Sequence, residues 1–382
     1  MVKVNVTPSV LKWARKRYNL SVKEVAKRIG KKPSVIKSWE NGEENPTYVQ
    51  LETIAYQIYK CPLGVFFFPE PPSELDKKSS FRTLPNHERK KLSYSVMKLI
   101  DKAESYQLSL KELYDNKNPF EPLITNELTF SKDFEIEKNV KEVRNYLGVS
   151  LKEQFNWKGE RIALKEWRES LEKAGVFVFK DAFKDDKISG FCLYDDKFPL
   201  IYINNSMPKT RQIFTLFHEI THLLFGLNGI DKMKDDFLDI LADEEKKIEI
   251  FCNQFAADFL VPNERFNRDI DGIKIDEKSI SKLANKYSVS REVITRKLLD
   301  LGMISERFYR EKRSKWIKEA KEKKKGNGGG GNYYYTKLAY LSNNYLETVF
   351  KKYHSREISP MDVSDYLNVK INNIASLEAY FN

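Results

Sequence analysis

The sequence predicts a multidomain protein that is mainly α-helical and contains one small α+β region. The chain has 382 residues, of which 41% are hydrophobic, so it holds enough material for two to four domains. Apolar residues recur with helical spacing along most of its length, beginning at residue 8. Two short apolar runs, at 175–179 and 198–205, have the composition of strands, which indicates a small sheet beside the helices.

The composition limits the partners and the compartment of the protein. A net charge of +11 favours an acidic partner, most commonly nucleic acid, although excess lysine can also serve solubility alone. The three cysteines are widely spaced, which supports neither a disulfide framework nor a cysteine zinc site. With no secretory signal at the start and no apolar run of about 18 residues, the sequence predicts a cytoplasmic protein without a membrane partner.

Residues 8–60 contain several closely spaced helical patterns. Ser21 and Glu24 have the spacing of a capping box, in which the two side chains bond the first free amides of a helix. The next predicted helix, 33–40, turns its large apolar residues inward and its polar residues outward. Two short helices joined by a glycine turn in such a bundle predict an all-α helix-turn-helix domain over residues 1–70.

The second helix of this pair can enter a DNA major groove. The residues that we expect to contact DNA precede this helix or lie on its polar face: Lys31, Lys32, Ser34, Lys37 and Ser38. One reader helix covers only half an operator, so the sequence predicts a homodimer bound to an inverted repeat. Helix-turn-helix bundles also dock proteins, and a docking module is therefore the alternative.

The charged stretch 71–150 is predicted to be a helical connector. It contains two amphipathic patterns, at 88–114 and 134–147. A further helix at 162–174 leads into the first strand candidate. A helix followed directly by a strand marks the start of the α+β region, which we place at residues 151–265.

An HExxH pentapeptide, His218 to His222, lies in an apolar helical run at 211–225. Residues four apart share one face of a helix, so both imidazoles can reach the same metal ion. Glu219 projects beside them. In zinc proteases, the glutamate at this position of the motif deprotonates the water on the metal. The alternative is that the two histidines lie on the polar edge of a core helix.

A third ligand must come from another element, and the pattern at 249–262 predicts a helix that ends at a proline. Glu249 is the best candidate on this helix. Asn253, one turn later, could hydrogen-bond a ligand histidine and fix its tautomer. On chemistry alone, four other carboxylates compete with Glu249: Asp243, Glu244, Glu245 and Asp258.

These motifs resemble the ImmA/IrrE metallopeptidases. The resemblance covers 211–224, the pattern around Glu249 and Asn253, and the run 260–262. It implies a zincin-like peptidase core, a small mixed sheet with the HExxH helix, and Glu219 as the general base. It also implies one Zn²⁺ per chain on His218, His222 and Glu249. Family members usually carry alanine where this chain has Cys252, which is a small and apolar change.

Two further segments resemble known families. Residues 8–70 are similar to the XRE or lambda-repressor type of helix-turn-helix domain. The runs 190–195 and 198–205 resemble strands of the metallopeptidase family. An edge strand beside the zinc helix could bind a peptide by β-augmentation, and an ordinary buried strand is equally consistent with the pattern. The residues that we assign to such an edge are Leu200, Tyr202 and Asn204.

The last third of the chain is predicted to be helical. Residues 266–325 contain a second helix-turn-helix-like pattern, at 279–294, and then a lysine-rich helix. A glycine-rich linker at 326–332 separates these from a small helical module at 333–382. Compact packing explains the second pattern better than base recognition, because it has no clear basic face.

Together these features predict a DNA-binding, zinc-dependent endopeptidase. The resemblance implies that it regulates transcription, or a stress or toxin–antitoxin response, by cleaving a specific repressor or antitoxin. The alternative is a non-enzymatic XRE-type regulator whose zincin domain senses or binds a partner.

Overall fold

The computed structural model of the protein describes residues 2–72, 92–131, 135–232, 241, 243–326 and 332–381. The chain forms two compact units, Met1–Lys102 and Ala103–Asn382. Each unit has its own apolar core. Within the described residues, no helix has both the length and the apolar composition that crossing a bilayer requires.

The first unit is a helical bundle. Its elements in chain order are α1 (Pro8–Arg17), α2 (Val22–Arg28), α3 (Pro33–Asn41), α4 (Tyr48–Glu52) with a π-helical continuation (Thr53–Tyr59), a 3₁₀ helix (Leu63–Phe67) and the start of α5 (Tyr94–Leu113). The predicted capping box of α2 is present, since Ser21 Oγ accepts a hydrogen bond from Glu24 N, and Ser21 N donates to Glu24 Oε2. Gly42 caps the carboxyl end of α3, and its φ of 78° suits a residue without a Cβ.

The core of this bundle lies between its helices. Ile36 and Trp39 of α3 are 2% and 3% exposed and lie among the buried residues of the other helices. Arg15 of α1 also holds α3, because its Nε and Nη2 donate to the two carboxylate oxygens of Glu40 at 2.6 and 2.8 Å. The helix-turn-helix bundle predicted from the sequence is confirmed.

The second unit is helical around one four-stranded sheet. Its helices after α5 are α6 (Ile124–Glu127), α7 (Ile136–Leu147), α8 (Leu151–Asn156), α9 (Glu160–Lys173), α10 (Lys209–Leu224), α11 (Asp243–Leu260), α12 (Asn263–Ile270), α13 (Glu277–Tyr287), α14 (Arg291–Asp300), α15 (Glu306–Gly326), α16 (Tyr333–Tyr340), α17 (Asn343–His354), α18 (Pro360–Leu367) and α19 (Ile374–Phe381), with a 3₁₀ turn at Ile371–Asn373. Its strands are β1 (Phe177–Asp181), β2 (Ile188–Leu193), β3 (Leu200–Asn204) and β4 (Gly229–Lys232).

The sheet is mixed and has the order β1-β3-β2-β4. Strand β3 pairs parallel with β1 and antiparallel with β2, and β2 also pairs antiparallel with β4. Strand β3 is therefore an interior strand, and the prediction that it forms a free edge is wrong. Its five residues are all buried, as expected for a strand with a neighbour on each side and helices over the sheet.

Both faces of the sheet are covered. On one face, Val178, Ile201 and Ile203 belong to the main apolar core, which includes residues of α9, α10 and α11. On the other face, Phe179 stacks on Tyr106 of α5 with ring centroids 4.3 Å apart, and Tyr345 of α17 contacts both rings edge-on. The sheet thus supports α10, the helix that contains His218 and His222.

The mainly helical fold with a small mixed sheet is confirmed, and the element ends differ in detail. The helix predicted from Glu249 begins earlier, at Asp243, because three acidic residues fill its first turn and suit the positive end of a helix. Helix α5 begins at Tyr94, and the predicted start at 88 lies outside the described residues, as do residue 134 and most of the glycine-rich linker. The pair α13 and α14 forms as predicted and contributes to the main core.

Candidate metal centre

Helix α10 brings the two histidines of the HExxH sequence together. The helix is buried along almost its whole length, with His218 0% and His222 2% exposed. Because the residues are four apart, their side chains lie on one face, and their Nε2 atoms are 3.2 Å apart. Two imidazole nitrogens that converge inside a protein are a typical half of a zinc site.

Glu249 of α11 completes the group. Its Oε1 lies 3.2 Å from His218 Nε2, and its Oε2 lies 3.3 Å from His222 Nε2. The donor atoms of the three residues lie within 4.8 Å of one another, and no other cluster of this kind occurs among the described residues. Two nitrogens and one carboxylate form a donor set that zinc hydrolases use.

The competing carboxylates lie elsewhere. Asp243 and Glu244 are exposed, and Glu245 is half-buried, in the first turn of α11, which precedes Glu249 by at least one turn. Asp258 is buried, but its carboxylate accepts hydrogen bonds from Lys297 and Asn263. Glu245 shares a face of α11 with Glu249 but lies one turn earlier, and among the five carboxylates Glu249 is the one grouped with the two histidines.

The electrostatics of the group are those of a charged cluster. Burial opposes a charge on His218, but the carboxylate of Glu249 and other nearby acids outweigh it and raise the pKa of His218 to about 9. Burial likewise opposes a charge on Glu249, and the two histidines outweigh it, so the pKa of Glu249 is lowered. The pKa of Glu219 is raised to about 7, mainly because the side chain is buried.

Glu219 is held by one of its two oxygens. Its Oε1 accepts a hydrogen bond of 3.0 Å from the backbone N–H of Asp231 in β4. Its Oε2 is buried and has no hydrogen-bond partner among the described residues. One oxygen is therefore anchored, and the other lies 3.0 Å from where a Cβ on Gly229 of the same strand would be.

Strand β4 was not recognised in the sequence, yet it builds one wall of the site. It is short, at four residues, and its Gly-Ile-Asp-Lys sequence has no periodicity that predicts a strand. It is fastened by the Asp231 carboxylate, which accepts hydrogen bonds from Arg211 at 2.5 and 2.7 Å and from Thr215 at 2.9 Å, both in α10. Gly229 N also donates to the Cys192 thiol of β2.

Gly229 is needed because β4 lies close to the metal-site candidates. A Cβ at this position would lie 2.4 Å from His222 Cδ2 and 3.0 Å from Glu219 Oε2. The histidine ring is 2% exposed and has little room to move. A side chain at 229 must therefore displace either the ring or the strand.

We expect Gly229→Ala to weaken zinc binding at least tenfold, because a misplaced ligand loses most of its contribution to a metal site. Competition titration with a zinc chelator measures this. Gly64→Ala is the matched control, since a Cβ there meets no atom within 4 Å, and it should bind zinc like the wild type. Equal zinc affinity in Gly229→Ala would show that β4 does not constrain the site.

The predicted role of Asn253 is not borne out by its contacts. Its Nδ2 donates to the backbone carbonyl of Glu249 at 2.9 Å and not to a histidine. The Nδ1 atoms of His218 and His222 are buried and have no partner among the described residues. A residue one turn after Glu249 reaches the carbonyl of its own helix more easily than a ring on another helix.

The residues assigned to a substrate edge lie in the sheet interior. Leu200, Tyr202 and Asn204 are all 0% exposed. Tyr202 stacks on Phe191, and Asn204 Nδ2 donates to the carbonyl of Ile188, so these side chains support the sheet. Among the described strands, β4 is the one that lies beside His218, His222 and Glu249 and has an unpaired edge.

The residues assigned to DNA lie at the surface of the first unit. All of them are exposed except the half-buried Ser38: Lys31, Lys32, Ser34 and Lys37. Ser38 Oγ donates to the carbonyl of Ser34 within α3. As expected, α3 starts without a side-chain cap, because Lys32 stands where a serine or threonine would cap it.

Comparisons with known proteins match both parts of the chain. Residues 171–299 match the model of the IrrE N-terminal-like domain, and residues 11–55 match that of a helix-turn-helix. A radiation response metalloprotease, IrrE of Deinococcus deserti, is 36% identical over 104 residues, which cover 25% of this chain and 34% of that protein. The chain thus matches about a third of that relative's length.

Among solved structures, a transcriptional regulator of Mycobacterium tuberculosis aligns with 49% of this chain and 51% of its own chain, at 16% identity and a TM-score of 0.30. The family matches show that the chain combines an XRE-type helix-turn-helix domain with an IrrE-like metallopeptidase domain. A metallopeptidase domain implies a divalent metal, and the group of His218, His222 and Glu249 lies inside the matched residues.

Proposed function

We propose that this protein is a DNA-binding, zinc-dependent endopeptidase. The observation that carries the proposal is the convergence of His218, His222 and Glu249 beside the carboxylate of Glu219. One oxygen of this carboxylate is anchored by a backbone N–H, and the other accepts no hydrogen bond among the described residues. The helix-turn-helix domain supplies the DNA-binding part of the proposal.

The residues present fit a zinc ion. Two imidazole Nε2 atoms and one carboxylate lie close enough to share one ion, and this is a common ligand set of catalytic zinc. When bound, the ion would polarise a water molecule and the scissile carbonyl of a peptide. The three residues hold the ion, and the remaining chemistry belongs to Glu219.

Glu219 is proposed as the general base. Its Oε2 would take the proton of the attacking water and then deliver it to the leaving amine of the cleaved peptide. The bond from Asp231 N to Oε1 fixes the orientation of the carboxylate while this happens. Burial raises its pKa to about 7, which suits a group that must both accept and donate a proton near neutral pH.

Strand β4 is proposed to bind the substrate backbone. It lines the site, and its outer edge has no paired strand in the described residues. An extended peptide that adds to this edge would lie beside Glu219 and the histidines. This replaces β3, whose two neighbours leave its backbone no free edge.

The proposed substrate is a specific repressor or antitoxin, and the proposed setting is a transcriptional or stress response. The family resemblance supports this, as does the description of the Deinococcus relative as a radiation response metalloprotease. A DNA-binding domain on the same chain would bring the peptidase to DNA-bound repressors. A cytoplasmic location is consistent with both activities.

A substrate trap tests the proposal. Glu219→Gln should retain a substrate that the wild type cleaves and releases, so cross-linking in cells should enrich that substrate on Glu219→Gln. The same protein, once purified, should be cut by the wild type. The double variant Glu219→Gln/His222→Ala is the control, because it lacks a metal ligand as well. If the wild type leaves every trapped protein intact, the peptidase assignment is wrong and a non-enzymatic regulator is favoured.

DNA binding is proposed to use α3. The helix is fixed to the bundle by Ile36, Trp39 and the Arg15–Glu40 ion pair, so its opposite face is presented rigidly. Lys37 lies on that face, and Lys31 and Lys32 precede the helix, where they can contact phosphates. A homodimer would place two such helices on an inverted repeat, with half-sites about 34 Å apart.

Lys37→Ala should weaken specific binding by roughly 1–3 kcal/mol if Lys37 contacts a base, and should change the salt slope by about one if it contacts only phosphate. Gel-shift titrations of the full chain, on DNA selected by the wild type, measure both. Lys12→Ala, an exposed lysine of α1, is the control and should have the smaller effect. If the full chain binds no DNA even at low salt, the first unit is a protein-docking module.

A further inference from the structure

One lysine of the second unit, Lys180, has a nearly buried side chain and no bonding partner among the described residues. Lys180 lies in β1 and is 6% exposed, although a lysine this deeply buried is nearly always paired. Among the described residues, no hydrogen bond or ion pair to its ammonium group is found. Val178 and Lys180 are two residues apart in β1, so their side chains lie on the same face of the sheet. Val178 belongs to the main core, and Lys180 therefore points to the face that carries α9 and α10.

Other positive groups face the same place. Burial, Arg168 of α9 and Lys209 of α10 together lower the pKa of Lys180 to about 6. Burial, Arg161 and Arg168 likewise lower the pKa of Lys209, against the effect of Glu160. Three basic side chains from three elements thus disfavour one another's positive charge, an effect that a bound anion would reverse.

The start of α10 adds to this positive potential. The helix is 16 residues long, begins at Lys209, has no side-chain cap and has no acidic residue in its first turn. Free amides and the helix dipole favour an anion there, and a cation at that end is unfavourable. The two parallel strands β1 and β3 also end at this point, and such strand ends commonly form a ligand crevice.

Neighbouring groups neutralise only part of the positive charge on these side chains. Arg168 donates to the carbonyls of Val178, Ala339 and Leu341, and its Nε has no partner in the described part of the chain. Its nearest carboxylate oxygen, in Glu172, is 4.0 Å away, and burial raises the pKa of Glu172 to about 7. Lys209 Nζ donates to Asn205 Oδ1 at 3.2 Å, which is a neutral partner.

We propose that Lys180, Lys209 and the amino end of α10, with Arg168 beside them, bind a phosphate-type oxyanion. The ligand is either free inorganic phosphate or the phosphate group of a small nucleotide. A phosphate carries two negative charges and several acceptor oxygens, so it can pair with both lysines and with the helix amides at once. The site is separate from the metal centre, since Lys209 precedes His218 by nine residues, roughly 14 Å along the helix.

Calorimetric titration of the full chain tests the site. Inorganic phosphate, at constant ionic strength in chloride, should bind with a stoichiometry of one per chain, and Lys180→Met should weaken the binding at least tenfold. Methionine retains the apolar stem of the side chain, so the fold should persist. Lys187→Met, an exposed lysine in the turn before β2, is the matched control and should bind like the wild type.

Two further arms complete the test. Adenosine monophosphate that binds more tightly than phosphate, with no binding of adenosine, would identify a nucleotide, whereas equal affinities would identify the free anion. Lys209→Met, which is half-buried, repeats the test if Lys180→Met does not fold, and it should also weaken binding at least tenfold. An absence of saturable phosphate binding, or unchanged affinity in the lysine variants, would overturn the proposal.

Discussion

Glu219→Gln should bind a full equivalent of zinc and fold like the wild type, but should cleave the substrate more slowly by a factor on the order of a thousand. The amide cannot accept a proton from water, while it can still accept the hydrogen bond from Asp231 N. Single-turnover cleavage of a purified substrate, with zinc content measured on the same sample, gives both quantities.

The control for this substitution is Glu166→Gln, the same change on α9 and outside the metal centre. It should leave both zinc content and cleavage unchanged. Unchanged cleavage in Glu219→Gln would exclude this residue as the base. Loss of zinc in Glu219→Gln would instead show that the side chain holds the ligands in place and that its kinetic effect is indirect.

His222→Ala should lose nearly all bound zinc, because two remaining ligands cannot hold the ion against a chelator. The wild type should hold one zinc per chain after dialysis against micromolar chelator. His354→Ala is the matched control, since His354 lies on α17, 61% exposed, and pairs with Glu378. Elemental analysis of the three proteins gives the answer.

Glu249→Ala extends the same measurement to the third ligand. It should also lose zinc, whereas Asp243→Ala at the exposed start of α11 should keep it. If Glu249→Ala retains zinc with tetrahedral geometry, another carboxylate is the ligand. Zinc that persists in His222→Ala would contradict the whole ligand set.

Local patterns in the sequence were enough to identify the helices that carry the site. The four-residue spacing of His218 and His222 places both rings on one face of any α-helix, whatever the surrounding fold. The capping box at Ser21 and the inward faces of Ile36 and Trp39 are equally local, and they predicted the helix-turn-helix bundle. For Glu249, chemistry left five carboxylates open, and the family resemblance distinguished it.

Features that depend on distant pairing could not be predicted in this way. A run such as 198–205 shows that a strand exists but not how many neighbours it has, so β3 was placed at an edge that belongs to β4. Strand β4 itself has too few residues for a periodic signal. The anchoring of Glu219 by Asp231 N is a backbone contact, which no choice of side chain reveals.

The most direct test of the peptidase is a comparison of protein N-termini in cells that produce either the wild-type chain or Glu219→Gln at equal levels. Mass spectrometry of labelled N-termini, with and without DNA-damaging stress, measures every new cleavage. We predict new N-termini in one or a few proteins, at least tenfold more abundant with the wild type, including a DNA-binding repressor or an antitoxin. Identical N-termini in both cell lines under both conditions would contradict the account and leave the protein as a DNA-binding regulator without peptidase activity.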